Sequence, residues 1–314
     1  MIVARTLPEL RRQRASLYPG HRVAFVPTMG ALHAGHRSLI ALARSLADLV
    51  VVSIFVNPLQ FGPNEDYVRY PRPLEADLAV CGDDGVELVF VPQVPDLYPP
   101  GRSVTVSAGP VGADFEGSAR PGHFDGVLTV VAKLFNLVRP DVAIFGQKDA
   151  QQLACIRRMV LDLNAPVEIA SAPIIREPDG LALSSRNRYL SPDERRQALA
   201  LAAALAAGAR HSGAAASQAA AREVLAEAES DPSFSLDYLA LVSPDTFAPV
   251  AHPFAGEALM IVAATIGSTR LIDNTTISLT EPDATGSLAE ADNASAGEGR
   301  QGWDQTTTTA TARG

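Results

Sequence analysis

Two histidines, in the run His33-Ala34-Gly35-His36, follow the apolar segment Val23-Ala24-Phe25-Val26 and open a stretch of helical periodicity. A helix start carries unpaired backbone N–H groups and the positive end of the helix dipole. Imidazoles three residues apart share one face there and suit a phosphate chain. Gly35 lets a ligand come close to the backbone. Two N-cap or surface histidines are the plainer alternative. Zinc is disfavoured, because no further His, Cys or carboxylate ligand is evident nearby. A second segment, Gly146-Gln147-Lys148-Asp149-Ala150-Gln151-Gln152, puts a lone lysine at a strand-to-helix turn, where it can meet a phosphate as a point charge. Asp149 and Gln152 equally form an N-cap and its capping partner. In Ser184-Ser185-Arg186-Asn187-Arg188, two hydroxyls and two guanidiniums can grip phosphate oxygens, or simply face solvent on a hinge loop. Asn57-Pro58-Leu59-Gln60-Phe61 ends another apolar run with two amides. They can read a hydroxyl or carboxylate, or satisfy turn backbone.

The elements that must position these groups alternate. Strands are predicted at Val23–Val26, Leu49–Val56, Leu88–Val91, Asp141–Phe145 and Val167–Ala170, with helices over about 34–47, 74–81, 124–138 and 150–163. That order implies right-handed βαβ crossovers and an α/β fold, a Rossmann-like parallel sheet with helices on both faces. Ligands of such sheets sit at the carboxyl ends of the strands, where the loops at 27–36, 57–62 and 146–149 converge. The pattern changes after residue 175. Ser191-Pro192-Asp193-Glu194 reads as a capping box opening a helix to about Gly208, and an Ala-rich helix over 214–229 follows. Strand-like runs at 236–242, 258–266 and 269–274 complete a smaller α+β C-terminal domain. The expected organisation is 1–175 as the nucleotide-binding domain, 176–280 as a lid, and 281–314 as a disordered acidic tail holding the single tryptophan, Trp303.

The 314-residue chain is 47% hydrophobic with a formal net charge of −9, which speaks against a nucleic-acid partner and for a globular fold. Two cysteines, Cys81 and Cys155, make neither a disulfide framework nor a metal spacing. The arginine-rich N-terminus has no secretory pattern, and no apolar run is long enough for a bilayer. A cytoplasmic location and no membrane partner are therefore expected.

Taken together, Pro27–His36, Ser53–Phe61, Phe145–Gln152 and Leu183–Leu190 resemble, in order and spacing, the motifs of the pantothenate synthetase family. The resemblance spans about residues 1–280 and extends, through the HxGH element, to a wider nucleotidyl-transfer superfamily. It implies an AMP-forming ligase that joins pantoate to β-alanine through a pantoyl adenylate, with ATP as co-substrate, Mg²⁺ as cofactor and a homodimeric assembly. On the matching positions it implies that His33, His36 and Lys148 are catalytic. Met29, Gly146, Asp149, Ile175, Ser184, Ser185 and Arg186 join them in binding ATP. Gln60, Gln152 and Asn57 would hold pantoate and β-alanine, and Asp77 would lie near magnesium-bound phosphates. Leu183 stands where the family often has Met, and the segment after 280 is outside the shared pattern. Three rivals compete: a nucleotidyltransferase that stops at the nucleotidylated product, a non-catalytic nucleotide-binding regulator, and an RNA-interacting synthetase fragment. Two glutamines suited to a hydroxy acid, the intact histidines and Lys148, and the acidic balance weigh against them in turn.

Overall fold

A computed structural model of the chain describes residues 1–63, 65–251 and 253–280, so the expected tail and Trp303 lie outside the described residues. The elements run β1 (Ile2–Ala4), α1 (Leu7–Leu17), β2 (Val23–Thr28), α2 (Ala34–Leu46), β3 (Leu49–Ile54), α3 (Leu74–Asp83), β4 (Leu88–Phe90), α4 (Val94–Leu97), α5 (Glu116–Ala119), α6 (His123–Val138), β5 (Val142–Gly146), α7 (Ala150–Asp162) and β6 (Glu168–Ala172). The second half adds α8 (Pro192–Gly208), α9 (Ala214–Ala228), β7 (Phe234–Val242), β8 (Gly256–Ile266) and β9 (Thr269–Leu279). Short 3₁₀ turns at Pro58–Gln60, Gln147–Asp149 and Ser185–Tyr189 carry three of the candidate motifs.

Six parallel strands make the first sheet, in the order β1-β4-β3-β2-β5-β6. Successive side chains of a strand face opposite ways, and β2 shows the consequence. Phe25 packs with Val51, Phe90 and the apolar stripe of α6 on one face. Its neighbours Ala24 and Val26 pack with Val50, Val52, Ile40 of α2 and Cys81 of α3 on the other. Both faces are covered, which is why these strands read as continuous apolar runs. The order of the strands reverses between β2 and β5, the switch point where α/β sheets open a crevice. The β2–β5 ladder is short, pairing only Ala24 with Val142 and Phe25 with Ala143, whereas β2 and β3 pair along all of β2. Pro27 follows, with no N–H to contribute.

The second sheet is antiparallel, β7-β8-β9. One face packs Met260, Val262 and Ala264 against Leu201, Leu205 and Leu225 of α8 and α9. Val242, Phe247 and Ile261 instead pack with Ala154 of α7, so the two sheets share a wall. The Ser191 capping box forms as read: Glu194 N–H donates to Ser191 Oγ at 3.2 Å and Ser191 N–H to Glu194 Oε2 at 2.7 Å. The N-terminal segment holds two elements that the apolar pattern does not announce. It forms β1 and α1, because Thr6 and Glu9 close a capping box and Leu10 is fully buried. Three strand residues are too few to show alternation, and one buried leucine among arginines leaves little helical stripe. Among the described residues, no helix is long and apolar enough to cross a membrane.

Candidate active site

His33 is the N-cap of α2. Its Nδ1 accepts from Gly35 N–H at 3.1 Å, and His36 Nδ1 accepts from His33 N–H at 3.3 Å. The rings lie 4.1 Å apart. The capping alternative is therefore realised, and it does not exclude a functional role. Burial, with His33 second, pushes His36 down to about 3. Burial, then Lys148 and Arg188, lowers His33. Each ring is neutral at pH 7, and with Nδ1 engaged as an acceptor the proton sits on Nε2. Both rings line the cleft, and Nε2 is the ring nitrogen that the turn leaves unengaged. A Cβ on Gly35 would stand 2.9 Å from His33 Cε1, so glycine is required for the first ring to fold back over the helix start.

Asp77 braces the loop before the histidines. Ala31 N–H and Leu32 N–H donate to its two oxygens at 2.9 and 2.7 Å, and the residue is 2% exposed. It lines neither chamber of the cleft. Each carboxylate oxygen thus already accepts one backbone N–H, and Asp77 shapes the loop that carries the histidines. Among the described residues no group of three His, Cys, Asp or Glu could hold a metal ion.

After β5, the 3₁₀ turn presents Lys148, whose Nζ lies 3.5 Å from Asp149 Oδ1. Asp149 precedes α7 without making a side-chain cap, so the capping alternative fails here. Enclosure in the cleft favours its protonation, but Lys148 and Arg186 outweigh that and hold the carboxyl below the usual range. The two consecutive glutamines diverge. Gln151 is spent on structure, accepting from Glu116 N–H and donating to the carbonyls of Val111 and Asp114. Gln152 opens onto the cleft.

The amide pair after β3 splits in the same way. Asn57 is 1% exposed. Its Nδ2 donates to Gln60 Oε1 and the Gly126 carbonyl, while Oδ1 accepts from Leu59 N–H and Tyr98 Oη. That fills the donors and acceptors of the amide in this arrangement, so Asn57 orients Gln60 from within the chamber lining. Gln60 Nε2 meets only the weak acceptor Met29 Sδ, at 3.2 Å, and keeps a donor for the cleft. A Cβ on Gly126 would lie 2.2 Å from the Leu59 carbonyl, so α6 needs glycine to let this turn approach.

From the second half, Ser184 caps the Ser185–Tyr189 turn through Arg186 N–H at 3.3 Å. Arg186 reaches to 3.7 Å from Asp66, and Leu183 N–H is tied to the Ile175 carbonyl at 2.9 Å. The cleft comprises adjoining chambers of about 270 and about 570 Å³, together in the range of small-ligand pockets. The smaller is lined by Met29, His33, His36, Asn57, Gln60, Gly146, Lys148, Asp149, Gln152, Ile175, Ser184, Ser185 and Arg186, which is the whole expected set except Asp77. Sequence reasoning missed Arg120 and His123, which line both chambers. His123 Nδ1 donates to the Gln60 carbonyl at 2.9 Å and its Nε2 accepts from Arg120, while burial, then Arg120, lowers its pKa to about 4. The available signal was Arg120-Pro121-Gly122-His123 immediately before a helix, in a stretch read only as polar and Gly-rich.

A parallel sheet open at its switch point, neutral imidazole donors on the first helix and a lysine after the neighbouring strand define an enzyme of the HxGH nucleotidyl-transfer class. The model of the family described as Pantoate-beta-alanine ligase matches residues 2–276. The pantothenate synthetase of Thermobifida fusca is 58% identical over 287 residues, covering 88% of this chain and 96% of its own length. The crystal structure of pantothenate synthetase from Thermus thermophilus superposes with a TM-score of 0.81 at 50% identity, covering 88% of this chain and 99% of that one. Pantoate-beta-alanine ligase from Francisella tularensis, complexed with beta-gamma ATP and beta-alanine, gives 0.74 at 35% identity, covering 88% and 97%. This chain belongs to the pantoate–β-alanine ligase family. Its reaction is the ATP-dependent condensation of pantoate with β-alanine through a pantoyl adenylate, releasing AMP and pyrophosphate.

Proposed function

We propose that the smaller chamber carries out adenylate formation with the following division of labour. Pantoate carboxylate attacks the α-phosphorus of ATP; the new P–O bond forms as the bond to the β-phosphate oxygen breaks, and pyrophosphate leaves. Lys148 and the Nε2–H groups of His33 and His36 meet the charge that builds on the phosphate oxygens, and being fixed before reaction they need no reorganisation. Ser184, Ser185 and Arg186 hold the rest of the triphosphate, while Met29, Gly146, Asp149 and Ile175 hold the adenosine. Gln60 Nε2 and Gln152 read the pantoate oxygens. The amine of β-alanine then attacks the acyl carbon, AMP leaves with the bridging oxygen, and the nitrogen loses a proton. No protein nucleophile is needed, and both cysteines are buried away from this chemistry.

The supporting observation is that these donors, drawn from four separated segments, line one chamber at the carboxyl ends of β2, β3 and β5. Mg²⁺ belongs to this reading as part of the substrate, Mg-ATP. Asp77 braces the loop from outside the cleft lining, and no step is assigned to a protein-held metal. Residues 1–175 and 176–280 are read as a catalytic domain and a lid that shields the adenylate from water, in a cytoplasmic homodimer. The test is pantoate-dependent ATP–pyrophosphate exchange without β-alanine. Exchange that requires pantoate supports the first half-reaction; none from folded, ATP-binding protein overturns it. Gln152→Ala should raise the KM for pantoate roughly tenfold and leave that for ATP nearly unchanged. An unaltered pantoate KM would assign Gln152 to structure.

A further inference from the structure

Strand β9 carries two consecutive polar residues, Asp273 and Asn274, that are only 3% and 5% exposed. Consecutive strand residues face opposite sides of a sheet, so both sides are covered here, and a buried polar group must be satisfied. Asp273 accepts from Arg176 Nη1 at 2.6 Å and Nη2 at 3.0 Å, and from Asn274 N–H at 2.8 Å, which fixes the main chain at that point. Asn274 points the other way, into the first half of the molecule. Its Nδ2 donates to the carbonyl of Gln147 at 3.0 Å and to that of Lys148 at 2.8 Å. Both partners are carbonyl oxygens, so only the nitrogen end of the amide can face them. Asp149 supplies no side-chain cap to this turn, and among the described residues no other side chain donates to these two carbonyls.

We infer that Asn274 is a positioning residue for Lys148: it holds the two carbonyls of the lysine's turn and thereby sets where Nζ stands in the cleft. The inference rests on the proposed role of Lys148. It makes β9, far away in sequence, part of the catalytic apparatus although Asn274 need touch no reacting atom. With the lysine displaced, pantoate would still meet Gln60, which Asn57 orients from another segment, but the phosphate charge would be met poorly.

The experiment is a double-mutant cycle on pantoate-dependent pyrophosphate exchange, with melting midpoints recorded for each protein. Asn274→Ala should lower kcat about tenfold and leave the pantoate KM unchanged. In the Lys148→Ala background the same substitution should change the residual rate by about twofold or less, because its effect passes through the lysine. A full tenfold loss in both backgrounds, or wild-type kcat in folded Asn274→Ala, overturns the inference. Should Asn274→Ala not fold, Asn274→Asp keeps the shape while turning an acceptor toward the two carbonyls, and the same outcomes decide. Lys148→Ala alone isolates the underlying reading: if it exchanges normally, the lysine's role fails without reference to Asn274, and the inference falls with it.

Discussion

The two strand-to-helix turns that meet across the crevice are built differently. The histidine turn after β2 is held from within the first sheet's own layer: His33 and His36 cap their own helix, and Asp77 of α3 takes the N–H groups of Ala31 and Leu32. The lysine turn after β5 lacks a side-chain cap and is held by Asn274, from the other sheet. One set of proposed phosphate donors is thus held by its own helix start and by α3. The other is tied to β9 through Asn274. A change at β9 would therefore act on the lysine turn and leave the imidazoles in place.

The hardest blow to this comparison is Lys148→Ala. It should cut adenylate formation by roughly 10²–10³-fold with an unchanged melting midpoint. Near-normal exchange would leave the histidine turn as the sole phosphate site and end the contrast. Asp77→Asn sharpens the first side. It replaces one acceptor oxygen with an NH₂ group facing a backbone N–H, and should cost about 2 kcal/mol of stability, read by denaturant titration, while the Mg²⁺ concentration for half-maximal exchange stays the same. A shifted Mg²⁺ requirement would return Asp77 to the metal. Gly35→Ala should displace the His33 ring and slow exchange about tenfold without altering pantoate KM; wild-type rates would show that the ring need not sit where it does. Acid offers the mildest probe. The folded protein keeps His36 and His123 neutral down to about 3 and about 4. The unfolded chain protonates them below about pH 6.5, so stability falls as pH drops from there toward those values. Each should forfeit about 1 kcal/mol by pH 5.5. His36→Gln should flatten part of the decline in melting temperature, and His123 should account for a comparable part. An unflattened decline would mean that His36 is not held neutral.

Legibility in the sequence tracked the range of the interaction. The helix from Ser191 was readable because its capping box is complete within four residues, and the parallel sheet was readable because strands buried on both faces leave apolar runs. Strand β9 was read only to Asn274, since Thr275 and Thr276 weaken the pattern, yet it pairs with β8 as far as Leu279. The candidate site was legible as a set of segments and not as a division of roles. Nothing in Gln151-Gln152 says which amide turns inward to Glu116 and Asp114 and which faces the cleft, because that depends on the phase of α7 against α5. The family motifs assign Asn57 and Asp77 to ligands, and say nothing of the structural partners Gly126, Tyr98, Ala31 and Leu32, which come from other segments. Arg120 and Asn274 were missed for the same reason: each acts on a turn distant in the chain.

The short ladder between β2 and β5 has one further consequence. Beyond Phe25 and Ala143 the two strands no longer pair, so main-chain groups in the middle of the sheet are left facing the crevice as though at an edge. A compound that bonds to those amides and carbonyls reads features common to every amino acid except proline. Apart from a change to proline, exchanging a side chain leaves those groups in place, so resistance would have to block the approach or bend the strand.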